Sequence, residues 1–160
     1  MRIRILVADE SEASFYDVRH KTDALTFSAR LSDPIARLHD RDLKSDRPGR
    51  AFDHAPAPGG RRGATPHHGI GSDRRPRKHE AVVFAQKIAD VLEHARRDEE
   101  FDRLVLMAPP VFLGLLRKAL PESVRASVAA EVAKDLVRQS PAAVQAHLPD
   151  DAFRVTPSAS

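Results

Sequence analysis

The residues best suited to chemistry are crowded between Arg47 and Lys78. Eight cations fall there (Arg47, Arg50, Arg61, Arg62, Arg74, Arg75, Arg77 and Lys78) against two acids, Asp53 and Asp73, a local charge of +6 in a chain whose net charge is +3. The remainder is therefore acidic, and the positive charge is concentrated where a polyanion would be met. Gly59, Gly60, Gly63, Gly69 and Gly71 lie in the same stretch. Glycine lets backbone amides approach a phosphate closely, and each guanidinium can present two donors to it. The residues assigned to such contacts are Gly59, Gly60, Arg61, Arg62, Arg74, Arg75, Arg77 and Lys78. The competing reading is a solvated insertion whose charge only maintains solubility, and composition leaves both open.

Other constellations carry less. His54, His67, His68 and His79 are imidazoles in or beside the same stretch, but their spacing matches no zinc motif. With no cysteine in the chain there is no thiolate ligand, no thiol nucleophile and no disulfide framework. The reading is of loop histidines that gain charge in mild acid, not of a metal site. Asp9, with Glu10, Glu12 and Asp17 nearby, sits at the end of the first predicted strand, yet no carboxylate partner is evident on later strands. A turn-forming aspartate is expected rather than a two-metal centre. No nucleophile elbow, P-loop or dinucleotide fingerprint appears. No cofactor is implied.

The elements that must position these residues follow from periodicity. At 160 residues the chain is the size of one domain, able to bury roughly two-thirds of its unfolded surface. "RIRILVA" (2–8) alternates, with Ile3, Ile5 and Val7 on one face; "ASFYDVR" (13–19) and "ALTFSARLS" (24–32) complete an antiparallel meander. "IARLHDRDLK" (35–44) suggests a short helix. From 47 to 74 the prolines and glycines predict an irregular loop, and loops of that length are functional or disordered. A helix is expected from Ser72 or Asp73 as cap, with Pro76 in its first turn and Phe84, Ile88, Val91, Leu92 and Ala95 at helical spacing. "FDRLVLMAPP" (101–110) reads as a central strand and Pro110 opens a helix to about Leu120, in which Gly114 would permit close packing. A helical turn, a strand at 128–134 and a helix "PAAVQAHL" capped by Ser140 follow. The sum is an α/β (α+β) mixed sheet of about five strands with flanking helices. It is assigned to a single domain over 1–148, with 149–160 as a flexible tail.

No apolar run reaches the roughly 18 residues that span a bilayer, and "MRIRILVADESEA" carries acids where a secretory signal would be apolar. A cytoplasmic protein without membrane contact is expected. "SDRPGRAFD", "HEAVVFAQKIADVL" and "LVLMAPPVFLGLLRKAL" resemble the bacterial family of host attachment proteins, the likeness running from Ile3 to about Leu148. That family is similar in turn to the middle domain of archaeal and eukaryotic class-1 peptide release factors, which implies a ribonuclease-H-like sheet. In those factors a loop after the meander carries Gly-Gly-Gln and leads into a basic helix. Here Gly59-Gly60 occupies that place, but Arg61 stands where the glutamine would be, so ester hydrolysis does not carry over. The resemblance implies a non-enzymatic factor presenting a basic Gly-Arg loop to the ribosome or another structured RNA, ribosomal or transfer. A factor for attachment to host cells acting indirectly from the cytoplasm is the alternative, with peptidyl-tRNA or RNA hydrolysis third.

Overall fold

A computed structural model of the chain describes residues 1–33 and 64–154, with side chains described in 1–33 and 78–154. The strands are β1 (Ile3–Ala8), β2 (Glu12–Val18), β3 (Thr26–Ser32), β4 (Arg103–Met107) and β5 (Val128–Val132). The helices are α1 (Ala64–Arg97), α2 (Pro110–Ala119), α3 (Glu122–Arg125) and α4 (Pro141–Ala146), followed by a 3-10 turn, Asp150–Phe153. They build one sheet in the order β3-β2-β1-β4-β5. The meander β1-β2-β3 is antiparallel, whereas β4 runs parallel to both β1 and β5. The expected mixed sheet with flanking helices is therefore present. The predicted helix at 35–44 lies outside the described residues.

Both faces of the sheet are covered. Leu6, Ala8, Ala13, Phe15, Leu104 and Leu106 pack beneath α1, α2 and α3. The alternate residues Ile3, Ile5, Val7, Tyr16, Val18, Val105 and Met107 pack against α4 and its flanking turns through Leu136, Val144, Leu148 and Ala152. Two covered faces explain why β4 reads as a nearly continuous apolar run, and they bury every residue of β1, including the side that its alternation predicts to be polar. On α1 the buried residues are Ala81, Phe84, Ala85, Ile88, Ala89, Leu92 and Ala95, a stripe at three- and four-residue spacing. Phe84 meets Phe112 of α2 with ring centroids 6.1 Å apart. Ser140 caps α4 as its sequence position predicts, its hydroxyl accepting from the Ala143 amide at 3.2 Å.

Four expectations are corrected. Residues 64–74 are not irregular loop: α1 begins at Ala64, not at Ser72 or Asp73. Pro66 falls in the first turn, where no N–H is needed, whereas Pro76 lies in the helix interior, where it removes a ladder bond and crowds the carbonyl one turn back, at a cost of about 3 kcal/mol. Helix propagation costs far less than nucleation, so the well-packed half extends through local breakers. The tail does not begin at 149, because Asp150–Phe153 form a 3-10 turn that buries Ala152 in the second core. Gly114 is not needed for close packing, since a Cβ there would meet nothing within 4 Å. Finally, β3 is an edge strand whose alternation breaks. Tyr16 faces Phe27 while Phe15 faces Ala29, so Ser28 is an extra, bulged residue. Leu25 then packs with the second core and Leu31 with the first, and Phe27 is left 55% exposed.

Candidate functional site

Of the sequence-assigned residues, Arg74, Arg75, Arg77 and Lys78 fall within the helical span of α1; Gly59, Gly60, Arg61 and Arg62 lie outside the described residues. A 34-residue helix is about 51 Å long at 1.5 Å per residue. Among its described side chains, 78–97, the core-facing stripe runs from Ala81 to Ala95. Positions 74, 77 and 78 precede Ala81 at intervals of seven, four and three, so they occupy the same helical face that Ala81, Phe84, Ala85 and Ile88 continue. Position 75 lies about 100° to one side. Lys78 and His79 are exposed. The four positions therefore fall within about two turns of one helical span.

The first helical turn contains no acid. Nothing there competes with an anion for the partial positive charge of the helix N-terminus. The basic stretch is held to the body through one face of α1, and that anchorage is apolar: Phe84, Ile88 and Leu92 against Phe112, Leu113 and Leu116 of α2 and against the sheet.

The carboxylate candidates do structural work. Asp9 Oδ1 accepts from the amides of Ser11 and Glu12, each at 2.8 Å, and from the Ser11 hydroxyl at 3.1 Å. It is the turn-forming aspartate expected, closing the β1-β2 hairpin with its own amide on the Glu12 carbonyl at 2.9 Å. Asp17 is committed to Arg4 of β1, the two being direct cross-strand partners. The Arg4 Nε lies 2.8 Å from Asp17 Oδ1 and its Nη1 2.8 Å from Glu100 Oε2. Its guanidinium also stands 5.5 Å from the Phe101 ring centroid. Burial works against the Arg4 charge, and the bonds to Asp17 and Glu100 outweigh it, so its pKa is raised above its ordinary value. No group of three or more metal-ligating side chains converges among the described residues.

Two features escaped sequence reasoning. One is the Arg4 cluster, signalled only by a lone cation inside "IRILVA". The other is a groove of about 590 Å³ between β3 and the C-terminal half of α1, lined by Arg4, Phe15, Ser28, Ala29, Asp90, Val91, His94, Ala95, Asp98 and Glu100. It depends on the bulge at Ser28, which no local pattern announces. A second hollow of about 490 Å³ lies at the other end of the sheet, around Arg103, Ser127 and Arg154.

No helix among the described residues is long and apolar enough to cross a membrane. No curated protein matches the chain. A family model described as "Protein required for attachment to host cells" matches residues 4–148, a span that includes all five strands, the basic stretch and α1 to α4. The chain belongs to that host attachment family.

Proposed function

We propose that this family member is a non-enzymatic, cytoplasmic factor that binds structured RNA, ribosomal or transfer, through the basic surface running from Gly59 to Lys78. The observation that carries the reading is the placement of Arg74, Arg75, Arg77 and Lys78 in one continuous helix whose distal half is anchored in the core. A rigid rod carrying cations at helical spacing can be set against a phosphate backbone without ordering each contact anew. Arg61 and Arg62, three and two residues before the helix in sequence, would add two more cations, with Gly59 and Gly60 allowing amide–phosphate approach. The resemblance to the release-factor middle domain, with its ribonuclease-H-like sheet, supports a ribosomal partner. Arg61 in place of the ester-cleaving glutamine supports binding without hydrolysis. The test is co-sedimentation with ribosomes of the wild type and of a variant with Arg61, Arg62, Arg74, Arg75 and Arg77 changed to alanine. The wild type is expected in the pellet and the variant in the supernatant; equal behaviour would refute the reading.

The family description favours a second reading, a contribution to attachment itself. In that case the protein acts indirectly, from inside the cell. Labelling of intact cells with an impermeant reagent tests that location, because strong surface labelling would point to direct adhesion and refute an intracellular role.

A further inference from the structure

The groove between β3 and α1 differs in character from the basic stretch. Its floor is apolar, made by Phe15, Ala29, Val91 and Ala95, and its rim carries Asp90, Asp98 and Glu100. Arg4, the one arginine lining it, is already bonded to both Asp17 and Glu100. Three carboxylates thus line the groove against one guanidinium, a surplus of two negative charges. Asp90 accepts from the neutral Gln86 amide at 3.1 Å, and Asp98 has no ion-pair partner among the described residues. His94, the remaining titratable group of the wall, is tied through Nδ1 to the Asp90 carbonyl at 3.0 Å. In a chain of net charge +3, this concentration of negative charge is local and runs against the whole.

One side of the groove is a sheet edge. β3 is bonded to β2 on one side, and no described strand pairs its other side. An unpaired edge offers a row of N–H and C=O groups to an incoming chain. Successive residues of such a chain would point alternately to the two faces of the sheet. Toward α1 they would meet the apolar floor and the acidic rim. Toward the other face they would meet Phe27 and the guanidinium of Arg30, 6.0 Å from the Phe27 ring centroid, where a second cation is disfavoured.

We propose that the β3–α1 groove is a docking site for an extended peptide segment of a partner protein. That segment adds beside β3 and directs lysine or arginine toward Asp90, Asp98 and Glu100, with apolar or acidic residues on the alternate positions. Main-chain pairing supplies affinity and the alternating side chains supply selectivity. The charge contrast lies on this flank of the molecule and uses none of the residues Gly59 to Lys78, so the site is independent of the RNA-binding reading.

The test is fluorescence anisotropy of the full chain with a labelled octapeptide that alternates lysine with valine. Three controls accompany it: the same peptide with glutamate for lysine, the lysine peptide N-methylated at alternate amides, and a D90N/D98N variant of the protein. Both acids are solvent-facing, so the variant is expected to keep the wild-type circular dichroism. The lysine peptide should bind, the glutamate and N-methylated peptides should not, and the variant should bind about tenfold more weakly, the sum of two exposed ion pairs. Equal binding of the lysine and glutamate peptides, survival of binding after N-methylation, or indifference to the Asp90 and Asp98 changes would each overturn the proposal.

Discussion

Arg4 and Asp17 are direct partners across the β1-β2 pair, and the arginine Nε lies 2.8 Å from Asp17 Oδ1 on the face otherwise devoted to the helix-covered core. The arginine is buried while its acids, Asp17 and Glu100, are about a third and about half exposed. Removing the cation leaves two carboxylates together at the edge of an apolar layer. Arg4→Met, which keeps the bulk against Phe101, should cost about 1–3 kcal/mol, below the range for fully buried pairs because the acids reach solvent. Urea unfolding at neutral pH measures this. A variant as stable as wild type would mean the cluster contributes packing alone.

Asp102 and Arg2 tie the start of β4 to the start of β1. The Asp102 carboxylate accepts from the Arg2 amide at 2.7 Å, and the Asp102 amide donates to the Arg2 carbonyl at 2.8 Å. The bond from the Arg2 amide holds the Asp102 carboxyl below its ordinary 3.8. A folded-state pKa below the unfolded one gives stability that is present above the unfolded value and lost as pH falls through the folded value. Asp102→Asn should therefore lower the urea midpoint at pH 6, and the gap to wild type should close below pH 3.8. A gap that persisted undiminished in acid would show that the carboxylate charge is irrelevant.

Two glycines test helix boundaries. In α2, Gly114→Ala fills space that is open within 4 Å, and in α1, Gly71→Ala sits inside the helical span. Each should raise stability by about 1 kcal/mol, the intrinsic difference between alanine and glycine in a helix interior. For Gly71 the far-UV dichroism should deepen as well. No change at Gly71 would restore the irregular loop that composition predicts over 47–74.

Phe112 stands at the junction of α1, α2 and the sheet, 1% exposed and 6.1 Å from Phe84 between ring centroids. Phe112→Ala should cost about 3–5 kcal/mol by leaving a cavity the two helices cannot close. If the basic stretch of α1 holds RNA as proposed, this variant should also lose that affinity on warming, before wild type does.

The strands were legible in the sequence because each is a short apolar or alternating run between breakers, as in "RILVA" before "DESE" and "RLVLM" before Pro109. The caps of α2 and α4 were legible through Pro110 and Ser140. What local reading lost was tertiary in origin. Gly69, Gly71 and Pro76 argue against helix one residue at a time, whereas α1 is decided by the stripe from Ala81 to Ala95 that anchors it. The extra residue Ser28 appears only when β2 and β3 are set in register. With it came the exposure of Phe27 and the groove under β3. Arg4 looked like the polar side of an amphipathic strand, but the helices cover that side too. Charge and glycine content point to eight candidate residues, and four of them share a helix.

The most direct measurement of the central claim is ribosome affinity as a function of salt, for wild type and for a variant with Arg74, Arg75, Arg77 and Lys78 changed to alanine. Each cation that meets a phosphate contributes about 0.7–0.9 to the slope of log affinity against log salt. The wild type should bind with a steep slope. The variant should bind weakly, with a slope lower by about three units if all four cations engage phosphate. Undetectable binding of the wild type at low salt, or equal slopes for the two proteins, would contradict a role for the α1 cations in holding RNA.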